Sequence, residues 1–195
     1  MSPPFSTASR DAGWMPHARH MPSPNQDERP AGMPIDLLVI HCIALPPRQY
    51  GGEAIEQLFC NRLDPRAHPA FAALEGLRVS AHFVVQRDGV LTQYVSCDRR
   101  AWHAGASRYA GRERCNDFSI GIELEGSDDE PFEPEQYDTL IALGSELLAR
   151  YPLRAWVGHS DIAPGRKTDP GVGFEWRQIK NGLALPTSAF PFQRF

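Results

Sequence analysis

The stretch FSIGIELE (residues 118–125) decides the predicted fold of this chain. Isoleucine or leucine occupies positions 120, 122 and 124, and serine, glycine and glutamate occupy the positions between and beside them. Successive side chains of a β-strand point to opposite faces of a sheet, so the alternation predicts a strand with one apolar face. The other face carries two carboxylates, Glu123 and Glu125, and should therefore face surroundings other than the apolar core.

Further strands and helices are predicted on both sides of this stretch. Residues 35–41 (IDLLVIH) are nearly all apolar, which is typical of a central strand covered on both faces. The remaining patterns predict a hairpin from 80–85 and 90–95 around an Asp-Gly turn, a strand over 155–159, and helices over 52–61, 134–151 and 174–183. We therefore predict an α/β fold of the mixed α+β kind, a single domain whose central mixed sheet is flanked by helices.

Composition divides the chain into three parts. Residues 1–34 contain seven prolines and no sustained periodicity, which predicts an irregular N-terminal segment that wraps over the surface or is partly disordered. Residues 35–184 form the predicted functional domain. Residues 185–195 form a C-terminal tail.

Charge and hydropathy exclude several classes of partner. The net charge of −4 argues against nucleic acid, and no apolar run approaches the length of a membrane span. The N-terminus lacks the basic start and apolar core of a secretory signal, so we expect a cytoplasmic protein. The four cysteines form no C-x-x-C pair, which favours free thiols over a disulfide scaffold.

Two histidines and one aspartate form a candidate metal site. His41 and His159 each close a predicted apolar strand, and Asp169 follows in a Pro- and Gly-rich loop. A single strand-end histidine is more often a structural hydrogen-bonded residue than a ligand, but active sites gather at strand termini. Two imidazoles and one carboxylate suit zinc and leave a fourth position open. By spacing alone, a structural role for each histidine remains open.

Five motifs resemble one family of enzymes. The segments LLVIHC, RVSAHF, RAWHAG, GRERCNDFSIGIELEG and VGHSDIAPGRKTDPG together resemble the AmpD family of N-acetylmuramoyl-L-alanine amidases, over residues 35–176. That family shares its fold with phage amidases and peptidoglycan recognition proteins. The resemblance implies a zinc-dependent amidase domain that cleaves the amide bond between (1,6-anhydro-)N-acetylmuramic acid and L-alanine in cytoplasmic muropeptides, in cell-wall recycling.

The resemblance also implies roles for particular residues. It puts Zn²⁺ on His41, His159 and Asp169, where the metal would polarise the scissile carbonyl. Glu123 matches the catalytic carboxylate that accepts the water proton and passes it to the leaving amine. Lys167 would stabilise the oxyanion, although a surface lysine is an equal alternative without the family match. For Glu125 we favour a solvated charge on the strand face.

The implied substrate contacts come from three further residues. Arg78 and Arg114 match the family's peptide-binding positions, where guanidinium groups would bind the carboxylates of the stem peptide. Each is otherwise a routine surface arginine. Trp102 would give the peptide an apolar wall. The implied partner is thus a small muropeptide, bound by a monomer that needs neither nucleic acid nor membrane.

Several histidines and two departures from the family need separate predictions. His103 is a second candidate for the cleft, His82 lines the cleft or fills the core, and His68 braces a turn. Ala81 stands where some relatives have a tyrosine, so Glu123 must carry more of the proton transfer. Cys42 replaces a frequent asparagine, but it neighbours His41 in a strand and should point to the opposite face.

Three alternative functions remain. A peptidoglycan-binding module without activity is disfavoured because the ligand set, Glu123 and Lys167 are all present. A lytic amidase on polymeric peptidoglycan is disfavoured by the lack of a signal, a repeat-type wall-binding domain and strong positive charge, but a phage enzyme would also lack a signal. A generic zinc peptidase is weakened because the chain has no H-E-x-x-H motif.

Overall fold

The computed structural model describes residues 13–195. Its strands are β1 (Arg19–His20), β2 (Gln26–Asp27), β3 (Leu37–Ile43), β4 (Phe83–Val85), β5 (Leu91–Gln93), β6 (Arg100–Ala101), β7 (Arg108–Tyr109), β8 (Arg112–Glu113), β9 (Ser119–Glu125) and β10 (Ala155–Gly158). Its α-helices are α1 (Ala54–Phe59), α2 (Pro134–Arg150), α3 (His159–Ile162) and α4 (Trp176–Gly182). Short 3₁₀ helices span Pro69–Leu74, Cys115–Asp117 and Thr187–Ala189.

Six strands form one mixed sheet in the order β1-β5-β4-β9-β3-β10. The pairings of β3 with β9 and β10, of β4 with β9 and of β1 with β5 are parallel, while β4 and β5 form an antiparallel hairpin. Two small antiparallel pairs, β2 with β6 and β7 with β8, lie outside this sheet. The predicted mixed sheet flanked by helices is therefore confirmed.

The centre of the sheet is covered on both faces, as the apolar run in β3 predicts. Leu38 and Ile40 pack in the core cluster that also contains Leu140 and Leu147 of α2. The alternate side chains of β3 pack on the other side, where Val39 meets residues of β10 and of α3. Because both faces of β3 are buried, a polar side chain near its carboxyl end needs a hydrogen-bonding or metal partner.

Two predicted strand ends differ from the structure. His41 does not close β3, which continues to Ile43. His159 is the first residue of α3 rather than the last of β10. The chain turns here because the N–H of Gly158 donates to Asp161 Oδ2 at 2.7 Å, an interaction that favours the start of a helix.

The N-terminal segment is not irregular throughout its described part. β1 adds a parallel edge strand to β5, β2 pairs with β6, and Met15 is 1% exposed within the main core. Residues 1–12 of the segment lie outside the described residues. In the tail, Phe190 is also buried in this core. The division into segment, domain and tail stays a prediction.

No helix of the described residues has the length and apolar character needed to cross a membrane.

Candidate metal centre

His41, His159 and Asp169 converge because two parallel strands carry the histidines to the same edge of the sheet. Gly158 of β10 pairs with Ile40 of β3, so the residues that follow them lie side by side. The Nδ1 atoms of the two histidines are 2.9 Å apart. Asp169 Oδ2 lies 3.0 Å from each of them. The three donor atoms form a nearly equilateral triangle.

This triangle has the chemistry and spacing of a metal site. Two ligands about 2.0–2.1 Å from a tetrahedral ion are about 3.3 Å apart, close to the 2.9–3.0 Å observed. The histidines are 1% and 3% exposed, so the donors are held by the protein rather than by solvent. Within residues 13–195, these three side chains form a group of metal-binding residue types whose donor atoms lie close enough together to hold one metal ion.

The protonation of the triangle also favours a cation. Burial, to which the neighbouring His159 adds, lowers the pKa of His41 to about 4, although Asp169 opposes the shift. Burial would raise the pKa of Asp169, but the adjacent imidazoles of His159 and His41 outweigh burial and hold that pKa well below its usual range. Neutral imidazole and ionised carboxylate are the forms that bind metals.

Each imidazole is held on its far side. His159 Nε2 lies 3.1 Å from the carbonyl oxygen of Ala104. His41 Nε2 lies 2.9 Å from Nδ1 of His103, whose ring is nearly perpendicular to it at a centroid distance of 5.0 Å. Contacts of this kind orient histidine ligands in metal sites. His103 thus lies beside the predicted ligands, in the cleft that they line.

Glu123 is a carboxyl group next to the triangle. It is the direct partner of His41 in the pairing of β9 with β3. Its Oε2 atom is buried and has no hydrogen-bond partner within residues 13–195. Burial raises its pKa well above the ordinary value, the charge of Asp169 adds to this, and Lys167 opposes it. A carboxyl group that holds a proton this readily suits general acid and base chemistry.

A cleft of about 250 Å³ connects these groups. Its lining includes the triangle, Glu123 and Lys167. Apolar and aromatic side chains, among them Leu58, Leu74 and Trp102, line it as well. Trp102 thus lies in the cleft lining, and its contact with the substrate peptide stays a prediction.

The two predicted substrate arginines lie outside this cleft. Arg78 lines a separate surface pocket beyond Leu77. Arg114 lines another, together with Arg108 and Arg166, and its Nε is 3.4 Å from Asp117. The structure brings neither arginine to the triangle, and their roles stay predictions.

Other polar residues have structural positions. His82 is buried in the core, where its Nδ1 accepts a hydrogen bond from the Gly121 N–H at 3.0 Å. His68 Nδ1 accepts from the N–H of Ala70 at the start of a 3₁₀ helix, which confirms that it braces a turn.

The interpretation of Glu125 as a solvated charge was wrong. The residue is 3% exposed, and its carboxylate accepts hydrogen bonds from the N–H groups of Gly51, at 2.5 Å, and Arg87, at 3.3 Å. The loop that supplies Gly51 is far away in sequence, so the strand pattern alone did not show this burial.

All four cysteines are free, as predicted. Cys42 is half-buried, and burial raises its pKa well above the ordinary value. It is not part of the group of converging donors in the described chain.

Comparison with known families gives one match over most of the chain. The family described as N-acetylmuramoyl-L-alanine amidase matches residues 31–172. The 1,6-anhydro-N-acetylmuramyl-L-alanine amidase AmpD of Citrobacter freundii is 52% identical over 180 residues, which cover 91% of this chain and 96% of that protein. AmpD of Escherichia coli K12 is 52% identical over 172 residues, 87% of this chain and 94% of that protein.

Solved structures agree with these sequence matches. A crystal structure of a selenomethionine derivative of AmpD superposes with a TM-score of 0.87 at 51% identity, and the match covers 89% of this chain and 98% of that one. A complex of Escherichia coli AmiD with the substrate anhydro-N-acetylmuramic acid-L-Ala-D-gamma-Glu-L-Lys has a TM-score of 0.58 at 32% identity, over 80% of this chain and 60% of that one. The similarity to AmpD spans nearly the full length of both relatives.

Proposed function

The chain belongs to the AmpD family of N-acetylmuramoyl-L-alanine amidases, and we propose that it hydrolyses the amide bond between 1,6-anhydro-N-acetylmuramic acid and L-alanine of the stem peptide. Its substrates are small muropeptides released during recycling of the cell wall. The reaction depends on zinc held by His41, His159 and Asp169. We propose that the enzyme acts as a monomer in the cytoplasm, without a nucleic-acid or membrane partner.

One observation carries this proposal. Three donor atoms that can bind a metal lie 2.9–3.0 Å apart in the lining of a cleft, directly beside a buried carboxyl group whose Oε2 atom has no partner among the described residues. A structural carboxyl group would be expected to have hydrogen-bond donors, as Glu125 does. Glu123 is instead directed at the space where a substrate would react.

The residues around the triangle have distinct parts in hydrolysis. When bound, zinc supplies Lewis-acid chemistry, which polarises a carbonyl group and makes water more acidic. The carboxylate of Glu123 accepts a proton from the attacking water at Oε2. It then delivers this proton to the leaving amine of L-alanine, so that the amine departs uncharged.

Lys167 supplies the positive charge of the site. Its side chain lines the same cleft as Glu123, two residues before the ligand Asp169. A cation in this position stabilises the negative charge that develops on the carbonyl oxygen in the transition state.

The cleft has a volume of about 250 Å³, and Leu74 and Trp102 are among the apolar residues of its lining. We propose that Trp102 contacts the peptide near the scissile bond. We further propose that Arg78 and Arg114, which line separate surface pockets outside the cleft, bind carboxylates of the stem peptide.

The test compares soluble anhydro-muropeptide with intact sacculi as substrates, with release of stem peptide followed by mass spectrometry. We expect one zinc per chain and much faster release from the soluble substrate. Asp169→Ala should lose zinc and activity, whereas the exposed Asp138→Ala on α2 should keep both. Full activity of the Asp169 variant, or in the presence of a tight chelator, would refute zinc dependence. Preferred cleavage of sacculi would identify a lytic amidase instead.

A further inference from the structure

We propose that His103 and Ala104 act together as a positioning clamp, which fixes the ring protons of both histidine ligands on the side away from the metal. The clamp is the dipeptide His103–Ala104. It rests on the proposed zinc function but is defined by hydrogen bonds that do not involve the metal.

A chain of hydrogen bonds determines the tautomer of His103. The Ser119 hydroxyl donates its single proton to the carbonyl of Cys115 at 2.6 Å, because a carbonyl oxygen can only accept. Ser119 Oγ must then accept from His103 Nε2–H, at 3.1 Å. A neutral imidazole has one ring proton, so Nδ1 of His103 is a bare acceptor. A second proton would add a charge to a buried group of imidazole rings, which is costly.

The tautomer of His103 in turn sets that of His41. Because His103 Nδ1 has no proton, the 2.9 Å contact requires that His41 Nε2–H donates to it. The lone pair of His41 Nδ1 is then free and faces the triangle. The outer residues thus decide which nitrogen of His41 is available to a metal.

Ala104 does the same for the second ligand. Its carbonyl oxygen can only accept, so His159 donates Nε2–H to it, at 3.1 Å, and keeps Nδ1 free. Arg166 Nη2 also donates to this oxygen, at 2.9 Å. Asn116 Oδ1 accepts from the backbone N–H groups of His103, at 3.2 Å, and of Ala104, at 2.8 Å. One asparagine therefore holds both halves of the clamp.

A glycine in β9 makes room for the clamp. A Cβ atom built on Gly121 would lie 2.4 Å from Cγ of His103, far inside van der Waals contact. The ring of His103 lies against the strand only because residue 121 has no side chain. This explains the glycine two residues before Glu123 without reference to the substrate.

The clamp has a measurable consequence for the metal. With both ring protons directed outward, Nδ1 of His41, Nδ1 of His159 and the carboxylate of Asp169 are three acceptor atoms that meet without a proton, which is an arrangement that a cation stabilises. Loss of an outer hydrogen bond to a histidine ligand typically weakens metal binding by about 10- to 100-fold.

The decisive experiment measures the tautomer and the metal affinity separately. In metal-free wild-type protein, ¹⁵N shifts of the imidazoles should show His103 protonated at Nε2. Zinc affinity is then measured by competition with a chromogenic chelator for His103→Leu and His103→Asn. These side chains are of similar size, but asparagine keeps an acceptor near the position of Nδ1. We expect His103→Leu to lose about 10- to 100-fold in affinity and His103→Asn to recover most of it.

A second variant covers the case in which His103→Leu does not fold. Ser119→Ala removes the acceptor for His103 Nε2–H, and the ¹⁵N spectrum should then show a mixture of His103 tautomers. An Nδ1-protonated His103 in wild type, or wild-type zinc affinity in a folded His103→Leu, would overturn the clamp. A wild-type protein that binds no zinc would instead overturn the proposed function, whereas the tautomer of His103 would still test the clamp.

Discussion

His41 and Glu123 are direct partners in the parallel pairing of β3 with β9. Opposed residues of adjacent strands point to the same face of a sheet, so the proposed ligand and the proposed base project together. The relationship is fixed by the register of two buried strands. A one-residue slip would put Glu123 on the apolar face among the core side chains, and the core therefore maintains the geometry of the site.

The register leads to a prediction for Glu123→Gln. Glutamine keeps the size of the side chain but cannot shuttle a proton, so kcat should fall by about 10²- to 10⁴-fold. Zinc content should remain at one per chain, because Glu123 is not among the converging donors. Steady-state kinetics together with metal analysis measure both effects, and unchanged turnover would exclude Glu123 as the base.

Glu125→Gln is the matched control, since Glu125 lies on the same face of β9 two residues further on. Its carboxylate accepts backbone N–H groups of Gly51 and Arg87, and the new amide would face a donor without a partner. We expect the free energy of unfolding to fall by about 1–3 kcal/mol, with kcat near the wild-type value. Denaturant unfolding at one fixed pH measures the loss.

Lys167→Ala should lower kcat by about 10²- to 10³-fold while zinc stays bound, because the cation stabilises charge that appears only in the transition state. The chain has only two lysines, and Lys180 lies on α4 against the ring of Phe195. Lys180→Ala is therefore the natural control and should retain activity. A rise in KM with unchanged kcat for Lys167→Ala would indicate substrate binding instead of oxyanion stabilisation.

The parts of this molecule that the sequence predicts are those with a local periodic signal. The alternation in residues 118–125 predicted β9 and its two faces, and helical spacing predicted α2. The approach of His41 to His159 also follows, since parallel strands bring their carboxyl ends to one edge.

The contacts around the triangle have no comparable signal. Every residue has a backbone carbonyl group, so no sequence pattern marks the carbonyl of Ala104 as the partner of His159. The burial of Glu125 depends on a loop that approaches from residue 51. Arg29 lies in a segment predicted to be irregular, yet its guanidinium reaches the carbonyls around the start of β9. Such long-range backbone contacts are determined by the tertiary fold and not by local sequence.

Arg29 should be one of the main stabilising residues of the N-terminal segment. Its guanidinium donates to the carbonyl oxygens of Cys97, Asn116, Asp117 and Ser119 at 2.8–3.2 Å, and burial lowers its pKa to about 10. Arg29→Ala leaves buried acceptors unpaired, and each unpaired acceptor costs about 1–3 kcal/mol. The free energy of unfolding should therefore fall by about 3 kcal/mol or more.

Arg19→Ala is the control for this loss, because Arg19 lies in the same segment but is exposed, and within residues 13–195 its guanidinium pairs with Glu56. Arg19→Ala should lower the free energy of unfolding by about 1 kcal/mol or less. Equal effects of the two variants in denaturant unfolding would contradict the role of Arg29.

We predict that the burial of His82 makes the folded protein less stable in acid. It is buried beside Arg29, with the rings of His103 and His41 nearby, and burial holds its pKa well below the ordinary value. Protonation would also place a hydrogen on Nδ1, which now accepts from the Gly121 N–H. The unfolded chain takes up a proton below about pH 6.5 and the folded protein does not, so stability falls as pH falls.

Proton linkage sets the size of the effect. The free energy of unfolding should fall by about 1.4 kcal/mol for each pH unit below about 6.5, until the pH reaches the pKa of His82 in the folded protein. His82→Asn keeps an acceptor for the Gly121 N–H but cannot titrate. Urea unfolding of both proteins in metal-free buffer between pH 7.5 and about 5 should therefore show a shallower decline for the variant. The remaining histidines are the same in both proteins, so the difference between the two curves reports the replacement of His82. Parallel curves for wild type and variant would mean that His82 is protonated in the fold or that its proton is not coupled to unfolding.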